Sequence, residues 1–298
     1  MAALPPIPHK QKPINHLPAM KNLNALKTRC LKKEARKLFA RLNTSVLAAT
    51  QTCSEPNIHQ MRVAVKKWRA LLAFTAFAQH NAKQKKFAKP YRKIFSISGN
   101  IRDAQVHALF LQEHHLADQL QPYLQHLKEE EENSKRQLNA AYKTLKNKIS
   151  AKRRVKQLNT LLSRVTAAEV SAYTNSCIEK AKQYIVGSYT NEEQLHQLRK
   201  LLKQWQYNAI LLQNCGFDQT GGNKLLDFLV PFNELLGKWQ DTTVAIDYLN
   251  ELQSGQQLAI NPKTMVKLRN EIATAKATFQ RNIMAGLLDL SILLAQIE

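Results

Sequence analysis

The stretch IHQMR at Ile58–Arg62 has a second copy in the same chain, LHQLR at Leu195–Arg199. A lysine and a tryptophan follow at matching offsets in the two copies: Lys66 and Trp68, then Lys203 and Trp205. Self-similarity of this kind is the sequence signature of an internal duplication. We therefore expect two tandem halves of the same design that face each other across a pseudo-two-fold axis.

A second pair of segments extends the repeat. SGNIRD at Ser98–Asp103 resembles LGKWQD at Leu236–Asp241, with the offset one residue longer. Each half thus has a His-x-x-Arg helix, a connecting helix and a Gly-x-x-x-Asp step. Because glycine commonly ends helices, the step at Gly99 and Asn100 predicts a helix stop followed by a new helix start.

The composition predicts an all-α fold. Glycine is scarce, with 8 residues in 298, and the abundant Ala, Leu, Lys and Gln are good helix formers. Alternating β-branched and aromatic runs, which are typical of strands, are missing. We expect about ten helices in two bundles, near residues 21–50, 58–79, 83–97, 101–117, 122–149, 167–187, 191–214, 220–236, 240–254 and 263–296.

The domain organisation follows from the same patterns. Five prolines fall within residues 1–22, which we interpret as a poorly ordered tail. Residues 23–298 form one helical domain, with halves at about 23–150 and 151–298. The basic segment 143–156 is either a solvated helix and turn between the halves or part of an anion-binding surface.

Targeting and redox signals point to the cytoplasm. The N-terminus lacks the apolar stretch of a signal peptide, and no run of about 18 apolar residues predicts a membrane span. The four cysteines form no C-x-x-C pair, so a reducing compartment is the simpler interpretation. The sequence does not fix the oligomeric state, and a homodimer is compatible with it.

Charge is the strongest functional signal. Lysine and arginine total 44 against 22 acidic residues, a formal net charge of +22. Such an excess attracts polyanions, namely nucleic acid, an anionic membrane surface or a linear phosphate polymer. Charge alone does not choose among them.

The repeated helices are cationic on one side and apolar on the other. At 100° per residue, the polar side chains of the first copy fall within roughly an 80° arc: His59, Arg62, Lys66 and Arg69. Its apolar side chains lie opposite: Met61, Val65, Trp68 and Leu72. The second copy repeats the cationic arc with His196, Arg199 and Lys203, although Gln206 replaces Arg69. Both tryptophans are expected in the core.

These arcs predict an anion-binding surface. No acidic residue stands at i,i+4 spacing from the arginines and lysines of these arcs, which disfavours a merely solvated face. Arginine can fork onto two phosphate oxygens, lysine acts as a point charge, and histidine can donate a hydrogen bond. The alternative for the two histidines is a polar contact between packed helices. Three further cations could border the same groove: Lys33, Arg36 and Arg102. The alternative for Lys33 and Arg36 is a solvated helix face. The alternative for Arg102 is an ion pair with an acidic residue.

No enzymatic site is predicted. The chain has no Walker A loop, dinucleotide glycine pattern, HExxH or GxSxG motif. No carboxylate cluster is suited to hold Mg²⁺ for phosphoryl transfer, and we expect no metal role for His59 or His196. We expect no catalytic residue, cofactor or metal.

These residues resemble the CHAD domain, the histidine α-helical domain, over about residues 23–297. The resemblance rests on His59-x-x-Arg62-x-x-x-Lys66-Lys67-x-Arg69, the Gly99-x-x-Arg102-Asp103 step, and His196-x-x-Arg199-x-x-x-Lys203 with Tyr207. It implies two helical bundles around a basic central groove, polyphosphate binding and recruitment to polyphosphate granules. Some relatives are joined to a triphosphate-cleaving domain. Gln204 and Gln206 stand where the family usually has basic residues.

Three functions follow for testing. The first is non-enzymatic binding of inorganic polyphosphate through a groove lined by the two His-x-x-Arg helices. The second is sequence-independent binding of nucleic-acid backbone, which the low aromatic content of 7% permits while disfavouring base stacking. The third is hydrolysis or synthesis of phosphate polymers, which the missing metal ligands disfavour.

Overall fold

The computed structural model describes residues 17–80, 85–113, 121–148, 151–189, 191–217, 222–254 and 262–297. These ranges contain nine α-helices and no strand, so the all-α prediction is confirmed. In chain order the helices are α1 (Leu17–Thr52), α2 (Glu55–Ala78), α3 (Lys85–Glu113), α4 (Gln121–Lys148), α5 (Ala151–Leu162), α6 (Ala167–Ser188), α7 (Glu192–Asn214), α8 (Gly222–Ser254) and α9 (Pro262–Ile297).

Two predicted helix breaks are wrong. Helix α3 continues through Gly99, and α8 continues through Gly237. A Cβ atom at Gly99 would lie only 3.2 Å from Nη1 of Arg62, and one at Gly237 would lie 4.0 Å from Nη2 of Arg199. Gly99 therefore leaves room for the Arg62 guanidinium beside a continuous helix, whereas a Cβ at Gly237 would make only an ordinary contact. Glycine costs a helix interior about 0.5–1 kcal/mol relative to alanine.

Two further boundaries differ from the predictions. Helix α1 begins at Leu17, inside the segment interpreted as a tail, because Pro18 falls in the first helical turn, where its missing N–H costs nothing. The rest of that segment, residues 1–16, lies outside the described residues. The basic segment 143–156 contains the end of α4 and the start of α5, a short helix absent from the predicted set.

The helix order repeats between the halves. In the first half α1 packs on α2, α2 on α3 and α3 on α4; in the second half α6 packs on α7, α7 on α8 and α8 on α9. Helix α2 packs against α7 across the junction, and α5 packs on α1. Within the described ranges, no helix has the length and apolarity needed to cross a membrane.

One main core runs through both halves. Trp68 and Trp205 are 2% and 1% exposed within it, which confirms their prediction as core residues. A smaller second cluster joins the C-terminal parts of α3 and α8 to α4 and α9 around Tyr248 and Leu249. Because the main core is shared, the burial that stabilises each half also fixes how α2 lies against α7.

The packing of α9 on α8 generates a stability prediction. A Cβ at Gly286 would meet the ring of buried Phe232, whose Cδ2 lies 2.8 Å away. Gly286→Ala should therefore destabilise the protein by about 1–2 kcal/mol, since overpacking outweighs the gain in helix propensity. Urea unfolding followed by circular dichroism measures the change.

Gly187→Ala is the matched control. The new Cβ there would meet the flexible side chain of Gln194, whose Cγ lies 2.9 Å away and can move aside. Its stability should be unchanged or slightly higher. Equal losses of stability in the two variants would contradict the assignment of Gly286 as a close-packing position.

Candidate functional site

Helices α2 and α7 are held together by a buried amide. The Nδ2 group of Asn208 donates to the Ala70 carbonyl at 3.0 Å and to the Tyr173 hydroxyl at 2.8 Å, so it links α7 to α2 and α6. At the other end of α7, Asn191 caps the helix by accepting from the backbone N–H of Glu193 at 2.8 Å. These contacts fix which side chains of α7 stand beside α2.

The predicted cations of both copies converge at this junction. Lys66 of α2 lies close enough to four other cations for their charges to lower its pKa, and together the five form the α2–α7 cation cluster: Arg62, Lys66, Arg69, Arg199 and Lys203. Desolvation is the largest cause, and with the four charges it brings the pKa of Lys66 down to about 8. Lys66 is nevertheless solvent-exposed, so it lies crowded by protein yet open to a ligand.

Arg62 is anchored to α3. Its Nη1 donates to the Phe95 carbonyl at 3.0 Å and to the Ser98 hydroxyl at 3.3 Å, and its guanidinium lies 4.5 Å from the centre of the Phe95 ring. The guanidinium of Arg69 lies 5.6 Å from the same ring centre. Burial lowers the pKa of Arg62, against the opposing charge of Asp103.

Arg199 has an unsatisfied donor. Its Nε is buried and has no hydrogen-bond partner among the described residues, and burial lowers its pKa. The negative charge of Asp241 acts in the opposite direction and raises the pKa of Arg199. Desolvation raises the pKa of Asp241 itself, although Arg199, Arg102 and Lys66 act to lower it. The guanidinium of Arg199 therefore has a buried donor without a hydrogen-bond partner, whereas that of its counterpart Arg62 donates to α3.

The ring of Tyr207 contacts one lysine from each of the two helices. The Nζ of Lys67 from α2 lies 5.7 Å from the centre of its ring, and the Nζ of Lys203 from α7 lies 5.6 Å away. Sequence reasoning did not choose Lys67 as a site residue, because it falls one position off the cationic arc. Its adjacency to Lys66 and the aromatic Tyr207 in the second copy were the signals that could have found it.

Two neighbouring pairs of matched positions differ between the halves. Gln206, the counterpart of Arg69, is buried and accepts a hydrogen bond from Nδ2 of Asn233 at 3.2 Å. Asn233 in turn is the counterpart of Phe95. An arginine over an aromatic ring in the first half is thus replaced by a buried amide pair in the second, so the first half contributes more charge.

The family model of the CHAD domain matches residues 29–250. The chain belongs to the CHAD domain family. The crystal structure of the CHAD domain from the plant Ricinus communis has a similar fold, with a TM-score of 0.60 and 16% sequence identity over 90% of this chain and 91% of that one. No curated protein sequence matches this chain.

The two predicted histidines have different surroundings. His59 is exposed on α2. His196 is partly buried, and its Nδ1 lies 2.6 Å from Oε1 of Gln240, to which it donates because an amide oxygen only accepts. For His196 the structure therefore contains the polar contact between helices that was the alternative to ligand binding.

Three further predicted ligands are not among the five residues of the cluster, although Arg102 is close enough to Arg62 for its charge to lower the pKa of Arg62. Arg102 forms an ion pair with Glu55, which is the pairing that was its alternative. Arg36 lines a different concavity, whose described lining comes from α1 and α5. Lys33 is exposed on α1. Among the described side chains, no group of three or more His, Cys, Asp or Glu could hold a metal ion.

The lowered pKa of Lys66 gives a prediction for the free protein. Below pH 8 Lys66 is charged in both the folded and unfolded states, and only the folded state bears the cost of its desolvation and of repulsion by the neighbouring cations. Lys66→Met should therefore be more stable than wild type at pH 7, by roughly 0.5–1 kcal/mol after solvent screening. The difference should shrink at pH 9.5, since folded wild type has then lost the proton. Urea unfolding at both pH values measures it.

Lys200→Met, at an exposed position of α7, serves as the control and should show no such pH-dependent difference. A Lys66→Met protein less stable than wild type at pH 7 would refute mutual repulsion within the cluster.

Proposed function

We propose that the α2–α7 cation cluster binds inorganic polyphosphate without chemically altering it. The observation that carries the proposal is the convergence of cations from both duplicated helices around Lys66, whose pKa falls to about 8. Such a site is electrostatically unfavourable when empty. A bound chain of negative charges relieves the repulsion and restores the ordinary pKa of the lysine.

The chemistry of the side chains suits a phosphate polymer. Arg62 is already held by Phe95 and Ser98, so its orientation is set before a ligand arrives. The unpartnered Nε of Arg199 is one more donor next to the site. Fixed guanidinium forks and lysine point charges together match a flexible chain that carries a charge on every phosphate.

Family membership supports the same ligand. The resemblance stated from the sequence implies polyphosphate binding for CHAD domains, together with recruitment to polyphosphate granules. We extend both to this chain as part of the proposal: it acts in the cytoplasm, at granules where these are present, and it needs no cofactor.

Binding of nucleic-acid backbone is the alternative. Single-strand binders stack bases on exposed aromatic rings. Here Trp68, Trp205 and Trp239 are buried, and Tyr207 stands between two lysines. This arrangement favours a ligand that is recognised by its phosphates alone. Polyphosphate and the nucleic-acid backbone both carry phosphates, so an experiment must distinguish them.

Competition between the two polymers distinguishes these functions. Long-chain polyphosphate should displace labelled single-stranded DNA far better than DNA displaces polyphosphate, at equal phosphate concentration. Both affinities should fall steeply with salt through counterion release. If DNA prevails, the proposed ligand is wrong. Phosphate release or chain shortening in the presence of Mg²⁺ would instead show an enzyme.

Charge reversal tests the site itself. Arg62→Glu with Arg199→Glu should weaken polyphosphate binding at least 100-fold, since charge-assisted contacts contribute about 1.5–3 kcal/mol each. Calorimetric titration with polyphosphate of defined length at two salt concentrations measures the loss. Because a buried glutamate can disturb folding, Arg62→Gln with Arg199→Gln should show a smaller loss in the same direction.

The matched control reverses two exposed arginines elsewhere, Arg136→Glu on α4 and Arg281→Glu on α9. It makes the same change in net charge and should weaken binding only a few-fold. Equal losses in the two double variants, with helix content intact, would mean that the ligand responds to net charge and has no site at the cluster.

A further inference from the structure

A second basic concavity lies between α1 and α5, on residues that the α2–α7 cation cluster does not use. Its volume is about 560 Å³. Its described lining is Lys32, Arg36, Val155, Lys156, Asn159, Thr160 and Ser163. Helices α2 and α7 contribute none of these residues, so a ligand could occupy this concavity while the cluster is empty.

Three cations from two helices meet there. Lys32 and Arg36 stand one helical turn apart on α1 and so share a face, and Lys156 comes from α5. The described lining includes no acidic side chain. The nearest acid in sequence, Glu34, forms an ion pair with Lys37 at 2.7 Å. The positive charge of this concavity therefore has no carboxylate to neutralise it within that lining.

The other polar groups limit how a ligand could be held. The hydroxyl of Thr160 donates to the Lys156 carbonyl at 3.1 Å, and that of Ser163 donates to the Thr160 carbonyl at 2.7 Å. Both hydroxyl protons are thus used within α5 and the turn that follows it. The three cations and the side-chain amide of Asn159 are left as the groups that can donate to a ligand.

We propose that the α1–α5 concavity is a second anion site, which takes a compact triphosphate group. Three cations around one open concavity match three linked phosphates better than a single phosphate. The guanidinium of Arg36 can donate two hydrogen bonds to one phosphate, and the ammonium groups of Lys32 and Lys156 can each bind another. Such a group occurs at the end of a polyphosphate chain and in nucleoside triphosphates.

Calorimetric titration of the full chain with tripolyphosphate tests the proposal. Wild type should show two classes of site. Lys32→Gln, Arg36→Gln and Lys156→Gln together should weaken one class at least tenfold and leave the other unchanged. Arg62→Gln with Arg199→Gln should do the reverse. The control removes three exposed lysines from α4, α6 and α8, namely Lys128→Gln, Lys180→Gln and Lys224→Gln, and should retain both classes.

The outcomes separate this proposal from the proposed function. A single class of site that the α1–α5 triple variant leaves intact, or an equal loss in the triple control, would overturn the second site. Loss of long-chain polyphosphate binding only in the α1–α5 triple variant would support the second site and refute the cluster. An ATP titration identifies the source: ATP binding that the triple variant abolishes supports a nucleotide, and tripolyphosphate binding without ATP binding supports a chain end.

Discussion

The packing of α2 against α7 forces like charges together. The apolar sides of both helices are buried in one core with Trp68 and Trp205. The side-chain amide of Asn208 on α7 also donates a hydrogen bond to the Ala70 carbonyl of α2. The cationic sides of α2 and α7 are therefore held close to each other. Burial of large apolar side chains contributes enough free energy to tolerate the repulsion that this arrangement imposes on Lys66. The hydrophobic core thus maintains an arrangement of like charges that is electrostatically unfavourable in the free protein.

The duplicated scaffold carries different polar contacts in its two halves. Glu55 pairs with Arg102 at the start of α2, whereas its counterpart Glu192 at the start of α7 pairs with Lys276 of α9 at 2.9 Å. The position of Arg102 is taken in the second half by Gln240, which receives the hydrogen bond of His196. The helices of each half are therefore retained while their charges have diverged, and the first half keeps more of its cations.

Periodicity and repetition were sufficient to predict the all-α fold, most of its helices and the approach of the two cationic arcs. Apolar residues at helical spacing marked the buried sides, and the repeated His-x-x-Arg pattern paired α2 with α7. These signals are local or directly comparable between copies, so they survive in a single sequence.

The errors came from contacts between distant residues. Gly99 resembles a helix stop because nothing near it in sequence indicates that Arg62 needs the space. The assignment of Arg36 to the groove stays a prediction, and its side chain lines a concavity together with Lys156 of α5. Lys67 was passed over since its role depends on Tyr207 of the other half.

The central claim is that one phosphate chain lies between the two duplicated helices. A crystal structure of the protein with polyphosphate of defined length tests it most directly. The account predicts phosphates within hydrogen-bond distance of Arg62, Lys66 and Arg199 at once, so that a single chain contacts both α2 and α7. A chain bound elsewhere on the surface, with all three side chains left without phosphate contacts, would contradict it.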